Sequence, residues 1–182
     1  MKRQPFTAMA FSFLLFAGFS APLAGQTKET KLVNFVVEQE IVLPASPEAL
    51  YDAVTGDISG WWDHHFSEKP KKLYIEAKPG GGFYEIFNDA GDGVLHATVI
   101  YAERGRRLRF TGPLPSSGQP VELAVTFDLK PDSTGTRFHV TCSAAGPLAQ
   151  GSDRVVEAVW HHFLFERLKP YIESGEYLKR KR

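Results

Sequence analysis

The chain has 182 residues, enough for one domain with short extensions and too few for two domains of ordinary size. Lys plus Arg match Asp plus Glu at 21 each, so no global field draws the chain to nucleic acid or to an anionic membrane. A hydrophobic content of 43% fits a globular fold, and a single cysteine, Cys142, excludes an internal disulfide framework.

The first 25 residues differ from the rest. Lys2 and Arg3 precede an apolar run over residues 8–19, and the small residues Ala21, Ala24 and Gly25 follow. This pattern predicts a secretory signal peptide over residues 1–25, cleaved near Ala24 to Gln26. The run is shorter than the roughly 20 residues a membrane span needs. Gln26 stands where a lipidated cysteine would be required, which excludes lipidation, and Pro22 is an imperfect residue three before a cut after Ala24. Cleavage removes two of the 21 basic residues and no acid, leaving a net charge of about −2. The expectation is an exported protein, periplasmic or secreted, with no integral membrane segment after cleavage. Residues 26–31 read as a polar lead-in, 32–173 as the domain and 174–182 as a basic, solvated tail.

Residues 32–43 are rich in β-branched side chains and predict a first strand. Ser46 followed by Pro47 predicts a helix start and residues 48–55 a short helix, with a second short helical turn over 58–62. Strands are predicted at 72–77, 83–88, 94–101, 107–111, 121–130 and 136–143, divided by Gly-, Pro- and Asp-rich turns. Residues 152–172 carry the one long helical pattern. Val156, Trp160, Phe163, Leu164, Leu168 and Tyr171 fall on one arc, and Ser152 or Asp153 is placed to cap its start. Many strands with one broad apolar helix predict an α+β fold, a curved antiparallel sheet of six or seven strands wrapped around that helix.

The order resembles the START-like helix-grip superfamily (SRPBCC), and within it the homologues of the heat-shock-protein ATPase activator (AHSA-type). The residues that carry the resemblance are the run from Pro44 to Val54, Trp61-Trp62, Gly81-Gly82-Phe83-Tyr84-Glu85 and Gly93-Val94. They continue with Arg106 to Phe110, Val125-Thr126-Phe127, Gly135 to Phe138, Trp160, and Leu168-Lys169-Pro170-Tyr171-Ile172. The resemblance implies a sheet gripping the last helix with a largely apolar cavity between them. Members bind lipids, hormones or polyketides, or act as cyclases or hydratases, and the fold does not choose among these. The co-chaperone role fits poorly, because that partner is cytoplasmic and this chain is expected to be exported.

Candidate ligand-binding residues are Trp61, Trp62, His64, Phe83, Glu85, Phe110, Phe127, Trp160, Phe163, Leu164 and Arg167. Aromatic walls with a few polar groups are how small-molecule pockets are built. Glu85 faces the interior if Phe83 and Phe87 do. In an apolar cavity its pKa would rise, making it the one weak candidate for acid–base catalysis; in the other register it is solvated. Arg167 falls inside the apolar arc by angle and needs an anionic partner, for which Glu85 is one choice, or it snorkels past the helix end. The adjacent pairs His64-His65 and His161-His162 lack the i, i+4 spacing that puts two ligands on one helix face, so no metal site and no cofactor are expected. His96 and Thr98 share a strand face that alternation cannot orient, and Cys142 reads as an inert buried thiol.

These readings lead to an exported protein binding a small hydrophobic molecule, with no catalysis assigned. One alternative is a polyketide cyclase- or hydratase-like enzyme using Glu85 or a cavity histidine. Another is a protein-interaction or chaperone-like module that uses the 112–120 loop and the helix-side surface. No nucleic-acid partner is expected.

Overall fold

A computed structural model describes residues 30–179; the expected signal peptide lies outside these residues. Alternating apolar residues build β1 (Val33–Leu43), which pairs antiparallel with β8 (Gly135–Gly146) from Val33 opposite Gly146 to Leu43 opposite Thr136. Pro47 opens α1 (Pro47–Ala53), and the Ser46 hydroxyl accepts the Ala49 amide at 3.3 Å, as the Ser-Pro signal predicts. The predicted second helical turn is a hydrogen-bonded turn, with the amides of Trp61 and Trp62 both donating to the Ile58 carbonyl.

The remaining strands are β2 (Gly56–Asp57), β3 (Lys72–Ile75), β4 (Gly82–Ile86), β5 (Gly93–Glu103), β6 (Arg107–Gly112) and β7 (Glu122–Asp132). One antiparallel sheet runs in the order β1-β8-β7-β6-β5-β4-β3-β2. The strand beyond the seven predicted is the two-residue β2, too short for any periodicity to announce. Val121, Leu123, Val125, Phe127 and Leu129, with Phe138, Val140 and Cys142, form the inner face, as their alternation predicts.

The pairing of β4 with β5 is irregular at one point. Phe83 pairs with Ala97 but Tyr84 pairs with Leu95, so His96 is the extra residue of a β-bulge. The bulge turns His96 inward beside Ala97, while Thr98 remains only partly covered. His96 and Thr98 therefore do not share a face in the simple way the sequence suggested. Gly112 lies against this bulge. A Cβ there would stand 2.6 Å from the His96 carbonyl oxygen and 2.7 Å from the Ala97 Cα.

The C-terminal helix has three parts: α2 (Ser152–His161), a π-helical segment (His162–Leu168) and α3 (Lys169–Glu173). Gly151, at φ 84°, stands at its start, and the Ser152 hydroxyl donates back to the Ala149 carbonyl at 2.8 Å. Neither Ser152 nor Asp153 makes the expected cap, because glycine reaches the left-handed conformation without one. The wide turn precedes Pro170, whose ring would clash with the carbonyl four residues back in a regular α-helix. Trp160, Phe163, Leu164, Leu168, Tyr171 and Ile172 are buried against the concave face of the sheet. The Gln39 side-chain amide donates to the Glu157 carbonyl at 2.7 Å and ties β1 to the helix.

Candidate functional site

Eight of the eleven candidate residues lie in the buried core between sheet and helix. Trp61, Phe83, Phe110, Phe127, Phe163 and Leu164 are essentially fully buried, with Trp62 and Trp160 nearly so. They pack on one another. Trp62 stacks on Phe163 with ring centroids 4.3 Å apart and meets Phe83 edge-on at 5.0 Å. Phe127 meets Phe110 at 5.4 Å and Trp160 at 5.8 Å, both edge-to-face. These geometries are the favoured ones for aromatic pairs, each adding about 0.5–1.5 kcal/mol beyond area burial. Residues expected to line a cavity thus fill the space with one another. The indole Nε1 of Trp61 is buried in this cluster with no hydrogen-bond partner among the described residues.

Glu85 occupies the inward register, completely buried, on the same face as Phe83. Its Oε2 accepts the Phe66 amide at 2.9 Å and its Oε1 the Ser67 amide at 2.7 Å. His96 Nε2 lies 2.9 Å from Oε2, brought there by the bulge, and the Phe66 ring stacks on His96 at 5.5 Å. Burial pushes the Glu85 pKa up, but the two amides and then His96 outweigh it, and the net shift is downward. The expectation of a raised pKa is corrected: the interior is apolar on average, yet three donors aim at this carboxylate. The carboxylate is therefore held ionised, as a base weaker than an ordinary glutamate, and a protonated acid does not fit the site.

The Glu85–Arg167 pair does not form. Arg167 Nε lies 3.1 Å from Asp63 Oδ2, and its side chain reaches the surface in the snorkelling manner. Asp63 collects two histidines as well, with His64 Nδ1 2.9 Å from Oδ1 and His162 Nε2 2.9 Å from Oδ2. The other ring nitrogen of His162, Nδ1, lies 2.8 Å from Glu166 Oε2. Burial pushes the Asp63 pKa up, but the hydrogen bonds to His162 and His64 carry it below the usual value. Asp63 and Glu166 hold the His162 imidazole above its ordinary value. Widening of the helix puts His162 and Arg167, five residues apart, on the face that meets Asp63. A cleft of about 470 Å³ adjoins the cluster, lined by His64, Arg154, Val155, Ala158, Val159 and His162. His64 also meets the Phe163 ring edge-on at 4.7 Å, so one side chain separates this cleft from the aromatic cluster. A second cleft, about 540 Å³, opens at the β2–β3 edge, where Lys71 and Lys72 lie.

Sequence reasoning missed Asp63, Phe66 and Ser67. Periodicity does not register them, because all three lie in the irregular 58–71 segment and two act through backbone amides. His161 is exposed, and its ring stacks on Phe165 with centroids 4.7 Å apart. Burial raises the Cys142 pKa, consistent with an inert thiol.

Residues 44–173 match the family model described as Activator of Hsp90 ATPase homolog 1-like protein. No curated protein matches the chain. Among solved structures, a putative uncharacterized protein from Rhizobium leguminosarum superposes with a TM-score of 0.60 at 14% identity, over 81% of this chain and 99% of that one. A protein from Mesorhizobium loti gives 0.58 at 24% identity, over 81% and 99%. A protein of unknown function from Staphylococcus aureus gives 0.60 at 15% identity, over 80% and 98%. At these identities the likeness is one of fold.

Proposed function

The chain belongs to the Activator of Hsp90 ATPase homolog 1-like family, and from that premise we propose an exported protein that binds a small hydrophobic ligand between sheet and C-terminal helix. The observation that supports this reading is the shallow, largely apolar depression beside α2, lined by Val155, Ala158 and Val159 and separated by Phe163 from the aromatic cluster. Val155 is 63% exposed, an apolar side chain held in water within this depression. Trp61 Nε1 adds a buried donor without a protein acceptor, so a ligand carrying a carbonyl or ether oxygen would remove a cost of about 1–3 kcal/mol. Entry requires Phe163 and the 58–71 segment to move apart, a motion of loop type. Native mass spectrometry of the protein purified from its host's envelope tests both parts: a co-purifying apolar molecule supports the reading. A clean apo mass, or absence from the envelope, counts against it.

The Glu85–His96 pair favours a second reading, acid–base catalysis on a polyketide-like or aromatic substrate. Glu85→Gln separates the two. A binder keeps ligand affinity in this variant, whereas an enzyme keeps its fold and loses turnover.

A further inference from the structure

We propose that Asp63, His64 and His162 form a divalent-cation site of the zinc class, with one coordination position open to the cleft on α2. The inference does not rest on the hydrophobic-ligand reading, because a cation would be held by the polar atoms of Asp63, His64 and His162 and not by the apolar side chains that share the cleft. Spacing within single elements gave no reason to expect it. The site is assembled from the 58–71 segment and the wide turn of the helix, 99 residues apart in sequence.

The geometry supports a metal in three ways. First, one ligand atom from each of the three residues lies within 4.8 Å of the other two. In a tetrahedral site with bonds of about 2.0–2.1 Å, ligand atoms stand roughly 3.3 Å apart. His64 Nδ1 lies 2.9 Å from Oδ1 and His162 Nε2 2.9 Å from Oδ2, so the nitrogen that faces the coordinating oxygen needs to open by about 0.4 Å, and the other reaches the cation from across the carboxylate. The two imidazole rings are tilted by 52° with centroids 5.7 Å apart, so they are not stacked face to face.

Second, the supporting groups are of the kind metal sites use. His162 offers Nε2 inward while Nδ1 bonds the Glu166 carboxylate at 2.8 Å, the carboxylate–histidine–metal arrangement that fixes tautomer and ring orientation. Arg167 Nε stands 3.1 Å from Asp63 Oδ2 as an ion pair, a fixed charge that helps to orient the carboxylate.

Third, access and the fourth ligand are provided for. His64 is about half exposed, and His64 and His162 both line the cleft, where a water or a ligand oxygen completes the tetrahedron. Two imidazole nitrogens and one carboxylate suit Zn²⁺ and its neighbours better than Ca²⁺ or Mg²⁺, which take oxygen ligands.

The test uses the full chain without a polyhistidine tag, freed of metal by a chelator and titrated with Co²⁺, then with Zn²⁺ in competition. The expected result is one equivalent per chain, visible bands of tetrahedral intensity, and displacement by Zn²⁺. His64→Ala and His162→Ala should each weaken binding at least tenfold, and Glu166→Gln by about 10–100-fold with the tetrahedral spectrum retained. His161→Ala, which removes an outward histidine next in sequence, should leave the titration unchanged. Thermal unfolding in parallel guards against misfolding: Zn²⁺ should raise the midpoint of the wild type and not that of His64→Ala, whose side chain is half exposed. Absence of saturable binding, or binding that survives both histidine variants, overturns the proposal.

Discussion

Glu85 keeps its charge where no solvent reaches it, and the donors around it explain how. A buried carboxylate with no partners would protonate. Here the Phe66 and Ser67 amides and His96 all point at it, and they hold its pKa below the usual carboxylate value. The sign for stability follows from that direction. A folded-state pKa below the unfolded one, about 4.3 for glutamate, contributes stability that is complete above about 4.3 and is lost as the pH falls through the folded value. Glu85→Gln removes this contribution. Its amide nitrogen would also face one of the two backbone donors, leaving a buried N–H unsatisfied at a cost of about 1–3 kcal/mol. Urea unfolding of both proteins from pH 7 down to pH 3 should show the variant less stable at pH 7 and the gap narrowing below about pH 4.3. A gap that does not change with pH would mean that Glu85 is not ionised in the folded protein. The sequence left two registers open for this residue, and only the pairing of β4 with β3 and β5 decides between them.

At the scale of elements, strands and helices were readable where periodicity is strong, and the site's fine geometry was not. Residues 121–130 announced β7 by alternation, and the apolar arc from Trp160 to Tyr171 announced the helix. The bulge at His96 and the wide turn at His162 leave no such trace, since each inserts one residue into a regular pattern and re-aims a side chain. Both irregularities deliver a histidine to a carboxylate, His96 to Glu85 and His162 to Asp63. Gly112 is the residue that lets β6 lie against the bulge. Glycine within a strand ordinarily weakens it, so replacement by alanine at a tolerant position would stabilise by about 0.4–1 kcal/mol. Gly112→Ala should do the reverse. Its Cβ would meet the His96 carbonyl at 2.6 Å, and the backbone shift needed should cost about 1–3 kcal/mol. The check is the urea midpoint together with the His96 ring signals by NMR. A stabilised variant with unmoved His96 signals would show that the bulge does not depend on this close approach.

For the whole molecule, the question is how a filled interior could serve a hydrophobic ligand. The composition and resemblance pointed correctly to sheet and helix around one apolar interior, but neither could tell lining from packing, because the same Trp and Phe residues do both. Phe163 is the informative side chain. It stacks on Trp62 at 4.3 Å, meets Trp61 edge-on at 6.0 Å and touches the His64 ring, so it is the wall between core and cleft. Truncation to alanine removes packing in a core that cannot fully collapse, at a cost of about 3–5 kcal/mol. The space left would be apolar and open toward the cleft, and apolar spaces of this kind take up benzene-sized molecules. In toluene-saturated buffer, Phe163→Ala should therefore recover several degrees of its lost thermal midpoint, while the wild type changes little. The recovery should be absent in Leu123→Ala, a truncation on the β7 face away from the cleft lining. Equal toluene stabilisation of wild type and Phe163→Ala would show that the interior already admits an apolar guest. No stabilisation of Phe163→Ala would mean that the helix closes over the missing ring, and that the cleft on α2 does not communicate with the space beneath it.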